Sequence, residues 1–305
     1  MSRPARDSVE RPTPPAVAAS DEGPRTAAGA GVSQEVHARL SRWFPSPLLR
    51  ASALFQATGW PLSAFGIIDA SWLPAALLLN HALLFAASVN PRGQLLGPNM
   101  VRLPADRAQR GEVALTFDDG PDPSVTPHVL DLLDTHQASA TFFLIGERAR
   151  RHPALVREIQ QRGHEIENHS DRHRNHFAMQ GPEAMYRELR QAQDSIAQLT
   201  GSEPRYFRAP FGMRNPWVQP VLDRLDLRLV SWTRRGYDAV RGDPDRVTRR
   251  LLSGLQAGDI LLLHDGTCAR TNQGQPVVLS VLPRVLHRIG HLDLRPVALD
   301  PQNIR

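Results

Sequence analysis

The sequence predicts an α/β protein: a distorted (β/α) barrel of about seven strands, preceded by a disordered arm and a hydrophobic helical segment. Three observations lead there. From residue 112 onward, short apolar runs alternate with amphipathic helical patterns, the signature of successive β/α units. Clusters of chemistry-bearing residues sit at the C-terminal ends of those runs, the rim on which α/β barrels build their sites. Upstream, residues 51–89 hold a single formally charged side chain, Asp69.

The 305 residues are enough for one large domain with an appendage. The 41% hydrophobic and 22% charged fractions are those of an ordinary globular chain. A net charge of +5 raises the question of a nucleic-acid partner. However, all 36 basic residues are arginine and are scattered. This is a compositional bias rather than an aromatic-interleaved basic stripe, so no nucleic acid is expected. The single cysteine, Cys268, excludes an intrachain disulfide and a cysteine-based zinc cage. Nothing in the sequence sets an oligomeric state.

Residues 1–33, rich in Ala, Pro, Ser, Gly and Arg, have no apolar periodicity and read as a disordered arm. Residues 34–100 read as an amphipathic and hydrophobic helical segment. An arginine-bearing stretch (Val36, Leu40, Trp43, Phe44, Leu48, Leu49) precedes two uncharged runs, 51–68 and 70–89. Each run is long enough to cross about 30 Å of hydrocarbon as a helix. Pro61 interrupts the first and Pro74, Asn80 and His81 the second. The expectation is a membrane-associated protein anchored through 51–89, either by one span or by a hairpin turning at Asp69. A buried helical hairpin is the alternative.

Residues 101–305 form the expected catalytic domain. Strand-like runs occur at 112–118, 140–146, 164–169, 205–209, 227–232, 259–264 and 295–299, with helical patterns at 125–136, 147–162, 182–199, 216–225, 244–255 and 276–289. Asp122, Gly181, Asn215 and Asp243 precede several of these helices, and proline occupies the first turn of four, as helix starts favour.

The first strand ends in Asp118-Asp119-Gly120-Pro121. Adjacent strand residues face opposite ways, but a turn at the strand end can bring both carboxylates to one rim, one to hold a metal and one to act as a base. The third strand ends in His169-Ser170-Asp171-Arg172-His173. On a helical turn that spacing puts the imidazoles about 6 Å apart on one face. With Asp119 they form a three-ligand set that leaves coordination open. Arg208, closing the fourth strand, could pair with a catalytic carboxylate. By default Trp232 reads as core and Asp238 as a loop residue. His264 closes an apolar strand just before Asp265-Gly266 turns the chain outward.

These motifs, taken in order, resemble the NodB-homology polysaccharide deacetylases, carbohydrate esterase family 4, over roughly residues 111–300. Thr116-Phe-Asp-Asp-Gly-Pro, His169-Ser-x-x-His, Arg208-x-Pro-x-Gly and Leu261-x-Leu-His-Asp all match. The resemblance implies a divalent metal, usually zinc, bound by Asp119, His169 and His173. It implies Asp118 as general base tethered by Arg208, His264 as general acid, and the Phe211 N–H as an oxyanion donor. Trp232 and Leu262 are implied as the acyl-methyl pocket. The fourth motif departs from the pattern, because Arg235 stands where family members commonly carry an aspartate that orients the histidine. Either Asp238 takes over that role or His264 works unassisted with a lower pKa.

The expected function is metal-dependent removal of N-acetyl groups from amino sugars of a glycan. The alternatives are hydrolysis of an amide on a lipid-linked sugar, such as a formamide, and a non-catalytic glycan-binding relative.

Overall fold

The computed structural model describes residues 44–299; the expectations for the N-terminal arm and the start of the amphipathic stretch lie outside them. The apolar segment folds as two helices, α1 (Pro47–Ala64) and α2 (Leu73–Val89). The turn between them ends in a short 3₁₀ turn at Ala70–Trp72, where the Asp69 carboxylate caps the Ser71 N–H at 2.9 Å. The two outer ends return to one place, with the Ser46 hydroxyl donating to the Leu95 carbonyl. The pair is therefore a hairpin. Its apolar side chains are largely uncovered, with Leu78 72% and Phe85 69% exposed.

After the short helix α3 (Ala105–Gln109), the catalytic region alternates as expected. In order come β1 (Glu112–Asp118), α4 (Thr126–Thr135), β2 (Thr141–Leu144), α5 (Gly146–Arg151), α6 (Pro153–Gln161), β3 (Glu165–Asn168) and α7 (Pro182–Thr200). There follow β4 (Tyr206–Phe207), α8 (Val218–Arg224), β5 (Arg228–Leu229), β6 (Arg234–Arg235), α9 (Pro244–Leu252), β7 (Ile260–His264), α10 (Val277–His291) and β8 (Arg295–Val297). The helical pattern 147–162 is two helices, because Pro153 cannot donate to a continuous ladder. Asp243 caps α9 by accepting from the N–H groups of Asp245 and Arg246.

The strands are parallel, in the order β5-β4-β3-β2-β1-β7-β6, with β8 against the first half of β1. The expected strand 227–232 is shortened to Arg228–Leu229, and a further short strand follows it. Its start pairs with β4, while the residues beyond its end, Arg234–Arg235, pair with β7. Both sheet edges thus belong to one stretch of chain, which closes the curl and accounts for eight strands where about seven were expected.

Alternation along the strands separates two cores. Val113, Leu115 and Phe117 of β1, with Leu261 and Leu263 of β7, pack outward on the helices. Ala114 of β1, Ile260 and Leu262 of β7 and Phe143 of β2 share the inner cluster with Tyr206 and Trp232. Asp118 and His264 continue these inner files to the C-terminal rim and are register partners. The segment after α2 packs on the same barrel, with Met100 bridging to Val230 and Leu103 buried in the inner cluster.

Candidate active site

At the end of β1 the chain turns sharply, with Asp119 at a φ of 70°. That left-handed residue is uncommon away from glycine and asparagine, and here it brings both carboxylates to one rim. Asp118 is bound from below by Arg208, whose side chain is fully buried. One guanidinium nitrogen, Nη1, lies 2.7 Å from Asp118 Oδ1 and 2.7 Å from Thr116 Oγ1. Nη2 donates to the Ser231 carbonyl, and the fork lies over the Phe143 ring at 4.1 Å. The cation is anchored on every side, so it both neutralises and aims Asp118.

Asp119 points to the other neighbours. Its Oδ1 lies 3.3 Å from Nε2 of His169 and 3.3 Å from Nε2 of His173, and the three ligand atoms lie within 4.8 Å of one another. Oδ1 is buried with no hydrogen-bond partner, an unmet acceptor facing two imidazole nitrogens. The donor set and this convergence fit a divalent cation with open positions. The His169 Nδ1 contact to the Arg208 carbonyl, 2.8 Å, fixes its ring so that Nε2 faces the cluster.

The histidines do not sit on a helical turn, as their spacing suggested. Residues 169–174 form an irregular bend with Ser170 and His173 both at positive φ. Asn168 Oδ1 accepts from the Ser170 N–H, and the Ser170 hydroxyl accepts from the His173 N–H. The bend brings the two rings to 4.9 Å between centroids. His176, exposed one step further on, stands outside the cluster.

Burial is the largest influence on each of these groups, and neighbouring charges decide the outcome. Burial opposes an ionised Asp119, yet the adjacent imidazoles, His169 first and then His264 and His173, hold it far below the ordinary carboxylate range. His173 is pushed down to about 4 by burial and then by the His169 charge, so it presents a neutral ring. His169 is raised, because Asp118 and Asp119 outweigh its burial.

His264 has a partner. Asp238, fully buried, accepts from His264 Nδ1 at 2.9 Å and from the His264 N–H at 2.7 Å. Of the two alternatives left open by Arg235, the geometry realises the first. Burial works against a charged His264, but Asp238 overcomes it and the pKa rises to about 9.

Arg208-Ala209-Pro210-Phe211-Gly212 ends in a tight turn with Phe211 at a φ of 59°. The turn's hydrogen bonds are donated by Gly212 and Met213, leaving the Phe211 N–H without a backbone acceptor among the described residues. The Phe211 ring packs edge-on against His173, 4.8 Å between centroids. Gly212, at a φ of 74°, lies so close to Trp232 and Pro91 that a Cβ would fall 2.6 Å from each; only glycine fits. Trp232 and Leu262, both buried, line the cleft that holds the two carboxylates, His169, His173 and His264, with a volume of about 520 Å³.

Three supporting contacts have no signal in the sequence. Arg148 Nη1 donates to the carbonyls of Asp119 and Gly266, 2.8 and 2.9 Å, tying the end of β1 to the loop after His264. Arg150 grips both oxygens of buried Asp171, in the middle of the histidine bend, at 2.5 and 3.1 Å. Both arginines lie in the run Glu147–Arg151, which reads as a charged surface helix and gives no signal of its own. Asp265, raised to about 7 mainly by burial, accepts from the Thr126 hydroxyl beside the first motif. Cys268 packs against the outer core, and burial lifts its thiol to about 11, which works against a reactive thiolate.

A parallel β/α barrel carrying an Asp-His-His ligand cluster, flanked by a tethered carboxylate and an Asp-paired histidine, has the makings of a metallohydrolase. Residues 105–230 match the family model for polysaccharide deacetylase. Over 160 residues the chain is 38% identical to a chitooligosaccharide deacetylase of Azorhizobium caulinodans, covering 52% of this chain and 75% of the relative. It is 34% identical over 175 residues to a peptidoglycan-N-acetylglucosamine deacetylase of Bacillus cereus, covering 57% and 81% respectively. A family 4 carbohydrate esterase from Streptomyces lividans, solved with acetate, superposes with a TM-score of 0.57 at 31% identity, over 66% of this chain and 95% of that one. The chain belongs to the polysaccharide deacetylases, carbohydrate esterase family 4.

Proposed function

We propose that this protein hydrolyses the acetamide of N-acetylglucosamine-type residues in a glycan, with a divalent metal, zinc, held by Asp119, His169 and His173. The observation that carries the reading is the division of labour between adjacent carboxylates. Asp119 Oδ1 lies 3.3 Å from both imidazole Nε2 atoms, whereas Asp118 is bound by Arg208 at 2.7 Å and stays 3.8 Å from His169 Nε2. Two nitrogen donors and one carboxylate with open positions suit zinc. When bound, the metal supplies Lewis-acid polarisation of the acyl group and a more acidic water.

The chain's own residues do the rest. Asp118, held and oriented by Arg208, takes the proton of the attacking water. The Phe211 N–H, unused by its own turn, donates to the acyl oxygen as negative charge develops there. Trp232 and Leu262 enclose the methyl group. His264 delivers a proton from Nε2 to the departing nitrogen, while Asp238 holds its Nδ1–H and the resulting charge balance.

Mass spectrometry of chitooligosaccharides and of peptidoglycan fragments incubated with zinc-loaded protein should show stepwise loss of 42 mass units per acetamide, roughly the difference between acetyl and hydrogen. A protein with bound zinc that leaves every acetylated glycan intact would refute the reading.

The α1–α2 hairpin is proposed as a membrane anchor. Ala70–Val89 is long and apolar enough to span a bilayer and is only 11% buried. The linker beyond it lies against the site wall, where Ser231 Oγ donates to the Pro91 carbonyl. The anchor therefore brings the cleft close to the bilayer, and the glycan it meets is one near a membrane. Full-length protein should float with phosphatidylglycerol-containing vesicles, and Leu78→Glu with Leu79→Glu and Phe85→Glu should leave it in the aqueous fraction. Equal flotation of both proteins would remove the anchor.

A further inference from the structure

Arg235 departs from the motif of its family, and its surroundings give the departure a use. It lies on β6 beside Leu262 of β7, in the cleft that contains the ligand cluster and the proposed acyl pocket. Its guanidinium carbon is 4.8 Å from the centroid of the Tyr237 ring and 5.3 Å from that of Trp232. Two aromatic faces thus flank the guanidinium, the Tyr237 ring being shared with Arg250 at 5.1 Å, and contacts to ring faces leave N–H donors available.

No carboxylate among the described residues comes within ion-pair distance of it. The contrast with its neighbour is instructive. Arg234, on the opposite face of the same strand, pairs with Asp259 at 2.9 Å. Asp238, the nearest acid in sequence, has both oxygens engaged by His264. Arg235 Nε is buried and has no acceptor. A desolvated donor left without an acceptor is costly in a folded chain, and the same guanidinium lines the substrate cleft, where a substrate group can supply the acceptors that the chain does not. Outside the Asp119 ligand cluster and the Asp118–Arg208 pair, the other charges of the rim have the same sign or are already cancelled. Arg172 is half-exposed and touches Asp171 only at 3.7 Å, and Glu147 is taken by Arg151.

We propose that Arg235 forms a subsite for an oxyanion carried by the substrate, a carboxylate or a phosphate. The anion belongs to the deacetylated sugar or its immediate neighbour, because Arg235 adjoins the acyl pocket. The planar fork matches either group with two parallel hydrogen bonds. The proposal rests on the deacetylase reading, to which it adds an anionic substrate class; a family aspartate at this position could not recognise such a group.

The test compares full-length, zinc-loaded wild type, Arg235→Gln and Arg235→Lys on three acetylated substrates. These are neutral chitotetraose, a tetrasaccharide of alternating glucuronate and N-acetylglucosamine, and N-acetylglucosamine 1-phosphate. Wild type should favour one of the two anionic substrates over the neutral one by about tenfold in KM, the worth of one charge-assisted contact. The preferred one distinguishes carboxylate from phosphate. Arg235→Gln should bring the anionic-to-neutral ratio near one, and Arg235→Lys should restore part of it. A preference that survives Arg235→Gln, or its absence in wild type, overturns the subsite. If no substrate is turned over, the deacetylase reading fails separately. Calorimetric affinities of the three proteins for the same ligands then still decide whether Arg235 reads an anion.

Discussion

Asp118→Asn and Asp119→Asn, one residue apart, are expected to fail in different ways. Asp118→Asn should retain stoichiometric zinc and lose roughly a hundredfold or more in kcat, the usual contribution of a general base. Its amide oxygen can still accept from Arg208, but the charge that balances a fully buried guanidinium is gone. Removing one partner of a buried pair costs about 3–5 kcal/mol, so a lower melting temperature should accompany the lost rate. Asp119→Asn should instead lose metal. Its Oδ1 is the point where both Nε2 atoms converge, and a neutral amide is a far weaker ligand for a divalent cation than a carboxylate. Elemental analysis after dialysis separates the two outcomes. Equal zinc loss in both variants would overturn the assigned roles. In the wild type, zinc retention should weaken as the pH falls. The raised His169 holds a proton more tightly than a free imidazole, and that proton must leave before its Nε2 can ligate.

What the sequence made legible follows from what each kind of signal encodes. The β/α alternation and most element ends were readable because strand and helix periods differ, and because Asp243 and the first-turn prolines mark helix starts. The convergence of the candidate site residues is readable as strand-end clusters, since the barrel rim gathers strand ends whatever the loops do. The local geometry was less accessible. The His169–His173 spacing was referred to a helical turn, whereas the structure reaches the same proximity with a bend held by Asn168 and Ser170. Spacing alone does not distinguish two backbones that bring the same pair together. The short strand Arg234–Arg235 beyond 227–232 is invisible because two adjacent arginines carry no strand pattern, and an apolar run states burial, not which neighbour it pairs with. Likewise, no pattern in Glu147–Arg151 reveals that Arg148 and Arg150 turn inward to brace the loops carrying Asp119 and His173.

The second large effect is expected at Asp238. Its two oxygens both accept, one from the His264 N–H and one from Nδ1. Asparagine supplies one acceptor and one NH₂ group, so in Asp238→Asn one of these contacts sets donor against donor. The imidazole must then rotate, change tautomer or move. A kcat loss of about a hundredfold or more follows if His264 protonates the leaving nitrogen. The pH profile carries the sharper test. A general acid works only while protonated, so activity falls as pH rises through its pKa. Burial pulls the His264 pKa down, and the Asp238 charge and hydrogen bond raise it to about 9. With the carboxylate gone, burial acts with less opposition and the pKa falls. The alkaline limb of kcat should therefore move to lower pH, by roughly one to three units, the usual effect of one adjacent opposite charge. A merely structural Asp238 would lower kcat at every pH without moving the limb. An alkaline limb that stays in place in Asp238→Asn, with zinc content intact, would show that His264 is not the acid this geometry makes it.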